Sequence, residues 1–261
     1  MQKASARPKP AVSAPTKTAV LNHLAIIPDG NSRWAKARSV SAFEGYRRGA
    51  KRGVEIARRV RELGIHTVTF WGLSTDNWRH RPPKELSFIT KILVRSVESH
   101  LKEAIEHGVR IVHLGRKDRL PKVLLDKLAE AETKTRSNRR HVLNLALDYG
   151  GQDEIMRATK IIAKEAKAGQ LDPEQLDKPF NGHEGKTVFD SYLDTGDQPY
   201  PNPDLVIRTS GEVRLSGILP WQGVYAELYF EPVYWPDFTK KKLDQALQVY
   251  RTRDRRFGGG H

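Results

Sequence analysis

The chain has no cysteine, which excludes disulfides, thiolate metal sites and a cysteine nucleophile. It has no apolar run near the roughly 18 residues that a membrane span needs, and no signal-peptide pattern, so it reads as soluble. Neither GxGxxG nor GxxxxGK[ST] occurs, which removes support for the common dinucleotide and P-loop folds. Acidic residues are also short: 31 Asp and Glu stand against 45 Lys and Arg, for a net charge of +14. That excess admits nucleic-acid binding, capture of anionic small molecules in a cleft, or a solvated basic surface. Charge alone does not choose among them.

What is present organises itself around His23-Leu-Ala-Ile-Ile-Pro-Asp29-Gly30-Asn31-Ser32-Arg33-Trp34. A short apolar run breaks at Pro28, then offers a carboxylate, a glycine, an amide and a guanidinium before a basic helical segment. This is how an α/β protein builds an anion site, with free N–H groups at a helix start facing the ligand. Asp29 would repel a phosphate unless a divalent cation stood between them, so the turn reads as a metal-assisted phosphate or diphosphate site.

Residues 1–20 carry Lys3, Arg7, Lys9 and Lys17 among Ala, Ser and Pro, and read as a disordered basic arm; 21–261 form one domain. Apolar periodicity and punctuation predict helices over 44–63, 82–107, 120–135, 153–168 and 239–253. They predict strands over 66–74, 109–114, 141–147, 204–207 and 227–234, with one short helical piece at 188–193 inside the Gly-, Pro- and Asp-rich stretch 169–203. Strands alternating with helices imply an α/β fold with a mainly parallel central sheet covered by helices. Ligands of such sheets bind beyond the carboxyl ends of the strands, so the turns at Asp29, Ser74 and Arg208 should share one cleft. Arg33, Arg208 and Arg214 are forked donors suited to phosphate, and Ser216 adds a hydroxyl. Asp29 and Glu227 are the hard oxygen ligands that Mg²⁺ accepts.

Several motifs together resemble the cis-prenyltransferases, the family of undecaprenyl diphosphate synthase. They are the 23–36 run, Ser74-Thr75-Asp76-Asn77-Trp78 followed by Arg81-Pro82, Leu143 to Gly151 and Asp204 to Ser216. Trp221-Gln222, Tyr225 to Phe230, Trp235 to Phe238 and Arg255 to Gly259 complete the set. The resemblance spans about His23 to Gly259. It implies condensation of isopentenyl diphosphate with an allylic diphosphate to give a Z-polyprenyl diphosphate, with Mg²⁺, a homodimer and a hydrophobic tunnel for the growing chain. By position, Asp29 would hold Mg²⁺ and assist departure of the allylic diphosphate, while Gly30, Asn31, Ser32 and Arg33 would cradle it. Asn77, with Ser74, would take part in proton removal. Trp34, Tyr46, Thr75, Asp76, Trp78 and Arg81 would complete the allylic and prenyl sites. Arg208, Arg214, Leu215 and Ser216 would bind isopentenyl diphosphate, Glu227 would be a second metal contact, and Gly258 of the Arg256-Phe257-Gly258 ending would reach the partner subunit's site. The trans-type DDxxD motif is absent, in agreement with the cis class.

Departures from the family pattern are Ser32 for Gly, Tyr46 for His, Ala42 for Arg, Val213 for Gln or His, Gly217 for Asn, and one extra residue between Trp78 and Arg81. They make the allylic phosphate site less basic. Phe70, Trp71 and Leu147 are bulky and are expected to close the tunnel floor early, for a short or medium product. The expected location is the cytoplasm with peripheral membrane contact, and no nucleic acid is expected as partner. Two alternatives stand beside this reading: a non-catalytic subunit of a heteromer, and a basic nucleic-acid-binding protein.

Overall fold

His23–Ile27 (β1) is five consecutive buried residues, the pattern of a strand covered on both faces. The computed structural model, which describes residues 20–181 and 183–253, places it at the centre of the sheet. The expected arm (all but Val20) and Arg256 to Gly258 lie outside the described residues.

After β1 come Asn31–Lys36 (α1), Ala42–Glu62 (α2), Thr67–Ser74 (β2), Thr75–His80 (α3), Pro83–Glu106 (α4), Val109–Leu114 (β3), Lys122–Thr135 (α5), His141–Tyr149 (β4) and Gly151–Lys167 (α6). A two-stranded ribbon of Pro179–Phe180 (β5) and His183–Thr187 (β6) precedes Leu205–Arg208 (β7), Glu227–Phe230 (β8) and Lys240–Arg251 (α7). The six-stranded sheet has the order β3-β4-β2-β1-β7-β8, and every pairing in it is parallel. β1 therefore sits where the strand order reverses, the place at which such sheets open a crevice.

The two faces are covered differently. Leu24 and Ile26 of β1 pack with Ile56 and Val60 of α2 and with Leu243 and Leu247 of α7. α4 and α5 extend that layer over β3 and β4 through Val97, Leu124 and Leu128. The alternate residues Ala25 and Ile27 face Ile218 and Leu219 of the loop after β7. On that second face Gln198 exchanges hydrogen bonds with buried Asn144 at 2.9–3.0 Å, so the irregular segment before β7 closes the sheet there.

Most element boundaries fall within two or three residues of the sequence expectation. Three differences have physical causes. The strand expected over 227–234 ends at Phe230, because Pro232 has no N–H for the ladder. The ribbon inside 169–203 carries no β-branched run or alternation from which to read it. α2 begins at Ala42, where Ser41 accepts from the Glu44 N–H as its N-cap, in a Ser-x-x-Glu spacing.

Between the sheet and the α2–α4 layer runs a cavity of about 600 Å³. It reaches from Asp29 and Arg208, at the carboxyl ends of β1 and β7, to Ile65, Val109 and His141 at the amino ends of β2, β3 and β4. At about 3.3 Å per residue, the nine residues of β4 alone span roughly 25–30 Å. Phe70, Trp71 and Leu147, expected to form a floor, line the cavity as wall residues, and the space continues past them.

Candidate active site

The turn after β1 is held in a conformation that needs glycine. Gly30 has φ +101°, and a Cβ there would meet Tyr234 Cδ1 at 2.7 Å and Ser210 Cβ at 2.9 Å. Beside it, the Thr209 hydroxyl accepts from the Asp29 N–H at 2.9 Å and donates to the Asp29 carbonyl at 2.8 Å. The Trp235 N–H donates to that same carbonyl at 2.9 Å. No side chain among the described residues caps α1, so its first N–H groups stay open at the cavity mouth.

Parallel register brings the charges together. Ile27 pairs with Arg208, so Asp29, two residues on, receives Arg208 Nη2 at 2.8 Å and Arg33 Nη2 at 3.0 Å. Arg208 is almost fully buried; its Nη1 donates to the Arg214 carbonyl at 2.5 Å and to Ser216 Oγ at 2.8 Å, and its Nε is buried with no hydrogen-bond partner among the described residues. Arg33 also donates to Ser210 Oγ at 2.7 Å and to Glu212 at 2.5 Å, and Glu212 in turn holds Arg214. Three guanidiniums face two carboxylates, which leaves one net positive charge at the mouth. Burial pushes the Asp29 carboxyl up, but Arg208 and Arg33 together outweigh it and hold it below its ordinary value. Arg33 and Arg214 lower Glu212 in the same direction. Both groups are carboxylates at neutral pH.

Opposite this knot, Tyr46 on α2 shares a 2.8 Å hydrogen bond with Ser32 Oγ, donates to Glu85 and accepts from Arg81 Nη1 at 2.5 Å. Arg81 also pairs with Glu85. Burial, then the Glu85 carboxylate, raises the Tyr46 hydroxyl pKa, so it stays a neutral donor. Tyr46 thus carries a position where the family pattern has His, without adding charge. The turn after β2 is the start of α3, with Ser74 Oγ accepting from the Asn77 N–H at 3.0 Å; Ser74, Asp76 and Asn77 line the cavity.

The three expected turns therefore converge, yet six expected site residues do not line the cavity. Trp34 is buried on the far side of α1, where its Nε1 donates to Asp237 at 2.9 Å, because successive helical residues turn by about 100°. Trp78 packs into the α4–α5 core, and Thr75 lies against Gly150. Leu215 packs on the second face of the sheet. Arg214 is exposed and reaches the site through its carbonyl and Glu212. Glu227 lies farthest from Asp29. It pairs in register with Leu205, at the amino end of β8, and binds Arg253 at 2.7 Å. Parallel strands put it at the opposite end of the sheet from Asp29, so within one chain the two carboxylates do not meet. Among the described residues no group of three or more His, Cys, Asp or Glu could hold a metal ion.

Reading the sequence missed Glu85, although its i,i+4 spacing from Arg81 at a helix start was a usable signal. It assigned no role to Thr209, Ser210 or Tyr234, which become neighbours of Asp29 and Gly30 only through the pairing of β1, β7 and β8.

The family model of the undecaprenyl diphosphate synthases matches residues 27–258. The isoprenyl transferase of Streptococcus thermophilus is 42% identical over 238 residues, covering 91% of this chain and 93% of that protein. Isoprenyl transferase 2 of Bradyrhizobium diazoefficiens is 40% identical over 250 residues, covering 96% and 95%. The crystal structure of lavandulyl diphosphate synthase from Lavandula x intermedia, in complex with dimethylallyl diphosphate, superposes with a TM-score of 0.85. Its sequence identity is 36%, over 92% of this chain and 98% of that one. A probable undecaprenyl diphosphate synthase from Campylobacter jejuni matches with a TM-score of 0.70 and 30% identity, over 92% and 100%.

Proposed function

The chain belongs to the undecaprenyl diphosphate synthase family of prenyltransferases, and from that premise we propose that it condenses isopentenyl diphosphate with an allylic diphosphate in Z geometry. The observation that carries this reading is an apolar cavity of about 600 Å³ whose mouth is ringed by Asp29, Arg33 and Arg208. It suits a ligand with an anionic head and a long apolar tail.

In the reaction the allylic carbon–oxygen bond breaks, that carbon bonds to the isopentenyl double bond, and one proton leaves. Arg33, the open N–H groups of α1 and the Tyr46 hydroxyl would hold the departing diphosphate, whose charge grows as the bond breaks. Arg208 and Ser216, fixed by hydrogen bonds to each other, would orient the isopentenyl diphosphate. Asn77 and Ser74, at the rim where the apolar wall begins, would take part in removing the proton. Asp29 keeps Arg33 and Arg208 in place and stays ionised. Mg²⁺ usually takes one or two carboxylates plus substrate phosphates, and a lone Asp29 beside a diphosphate cradle fits that donor set. When bound, Mg²⁺ would supply charge neutralisation to the leaving diphosphate.

No helix among the described residues is long and apolar enough to cross a membrane. A cytoplasmic enzyme with peripheral membrane contact accords with an apolar product and a basic surface. A homodimer is supported by exposed Val224 and Tyr225, which lead into the edge strand β8.

The test is incorporation of labelled isopentenyl diphosphate with geranyl or farnesyl diphosphate and Mg²⁺, for wild type and Asp29→Ala. Incorporation by wild type and its loss in the variant are expected. Equal incorporation by both proteins refutes the role given to Asp29. No incorporation with any primer would favour a non-catalytic subunit.

A further inference from the structure

Toward its far end the cavity is lined by charge rather than by an aromatic plug. The cavity wall supplied by α2 is small along most of its length: Gly49, Ala50, Gly53, Val54 and Ala57 line it. In the next turn the same wall becomes Arg58 and Arg61, which reach across to Glu103 on α4. Arg58 Nε and Nη2 donate to the two Glu103 oxygens at 2.9 and 2.7 Å, and Arg61 Nη2 donates to Glu103 Oε1 at 3.0 Å. Facing α4 turns polar over the same stretch, since Ser96 and His100 line the cavity ahead of Glu103. Side-chain exposures of 44% for Arg58 and 24% for Glu103 place this clasp at the surface, where cavity meets solvent.

We infer that the Arg58–Glu103–Arg61 clasp is a determinant of product length, the point at which the growing apolar end of the chain stops advancing. An isoprenoid tail gains by displacing water from Leu, Ile and Val walls. Advancing through the clasp would strip ion pairs of their remaining hydration and leave them against hydrocarbon, which is unfavourable. Glu103 remains ionised throughout the working pH range, because the two guanidiniums hold its carboxyl at about 2. Phe70 and Leu147 narrow the path but do not end it. The clasp does both jobs of a gate: it spans the gap between α2 and α4, and it presents the wrong chemistry to the tail.

This inference rests on the chain-elongation reading, and the experiment separates the two. Products from labelled isopentenyl diphosphate and farnesyl diphosphate are sized by chromatography for wild type, Glu103→Leu, and the reversed pair, Arg58→Glu and Arg61→Glu against Glu103→Arg. Arg59→Ala, on the same helix but paired outward with Asp244, serves as the control. Glu103→Leu is expected to lengthen the product by one or more isoprene units, while the reversed pair and the control keep the wild-type distribution. An unchanged distribution in an active Glu103→Leu enzyme overturns the inference. So does a reversed pair that lengthens products as far as Glu103→Leu does. If circular dichroism shows that the leucine variant is unfolded, Glu103→Met, which is apolar and close to glutamate in length, takes its place with the same two outcomes. A wild type that incorporates nothing overturns elongation itself and the clasp's role with it.

Discussion

Asp29 carries two opposed influences, and their balance is the measurable property of this site at the scale of single residues. Burial favours the protonated carboxyl, and Arg208 with Arg33 favours the carboxylate; the arginines prevail. A lowered carboxyl contributes stability above its ordinary pKa and loses it as pH falls through the lowered value. The acid limb of a kcat/KM profile should therefore lie below about pH 4, the ordinary range of an aspartate. In Arg33→Ala one guanidinium is gone and burial gains weight, so the limb should move to higher pH. A profile that does not move would show that Asp29 titration does not govern the limb. Arg208→Ala removes a buried, preoriented donor and should lower kcat/KM on the order of 10²–10³-fold. Residue identity alone made Asp29, Arg33 and Arg208 legible as phosphate chemistry. The position of Glu227 was not legible, because a carboxylate in a matching motif carries no information about which end of its strand it occupies.

At the scale of elements, α2 does two things with one amphipathic pattern. Ile56 and Val60 pack onto β1 and β2, while Ala50 and Gly53 on the neighbouring stripe border the cavity. Gly53 shows this most plainly, since a Cβ added there would meet nothing within 4 Å. Its backbone is helical, so Gly53→Ala should stabilise by about 0.5–1 kcal/mol by restricting the unfolded chain. The rise in Tm should be about 1–4 °C by thermal melting. Gly53→Phe should instead fill the cavity, and its products, sized as above, should be shorter than those of wild type. Products of unchanged length would place the growing chain elsewhere. The length and position of α2 were readable from its three- and four-residue periodicity. That its small residues border an empty space was not, because an alanine or glycine stripe looks the same whether it faces a neighbouring helix or a void.

For the whole molecule, the edge strand β8 and the residues leading into it make the clearest prediction. Val224 and Tyr225 are 69% and 81% exposed next to β8, a sheet edge with no further strand among the described residues, a combination that natural proteins usually cover. Sedimentation should give a species of about twice the 29.6 kDa chain mass, and Val224→Asp should shift it toward monomer. If sedimentation of that variant is unchanged, the interface lies on another surface.

The amino-acid sequence by itself determined the parallel sheet, the three chemically loaded turns and the kind of ligand they suit. Those properties depend on side-chain type and on period, both of which are local. Only tertiary structure decided which carboxylates and arginines meet. Strand register carries Asp29 to Arg208 and Glu227 to the opposite end, and helix phase turns Trp34 and Trp78 away from the cavity. It also decided where the cavity ends. Arg58, Arg61 and Glu103 are ordinary surface charges along the chain, and they become a closure because two helices pack side by side over one sheet.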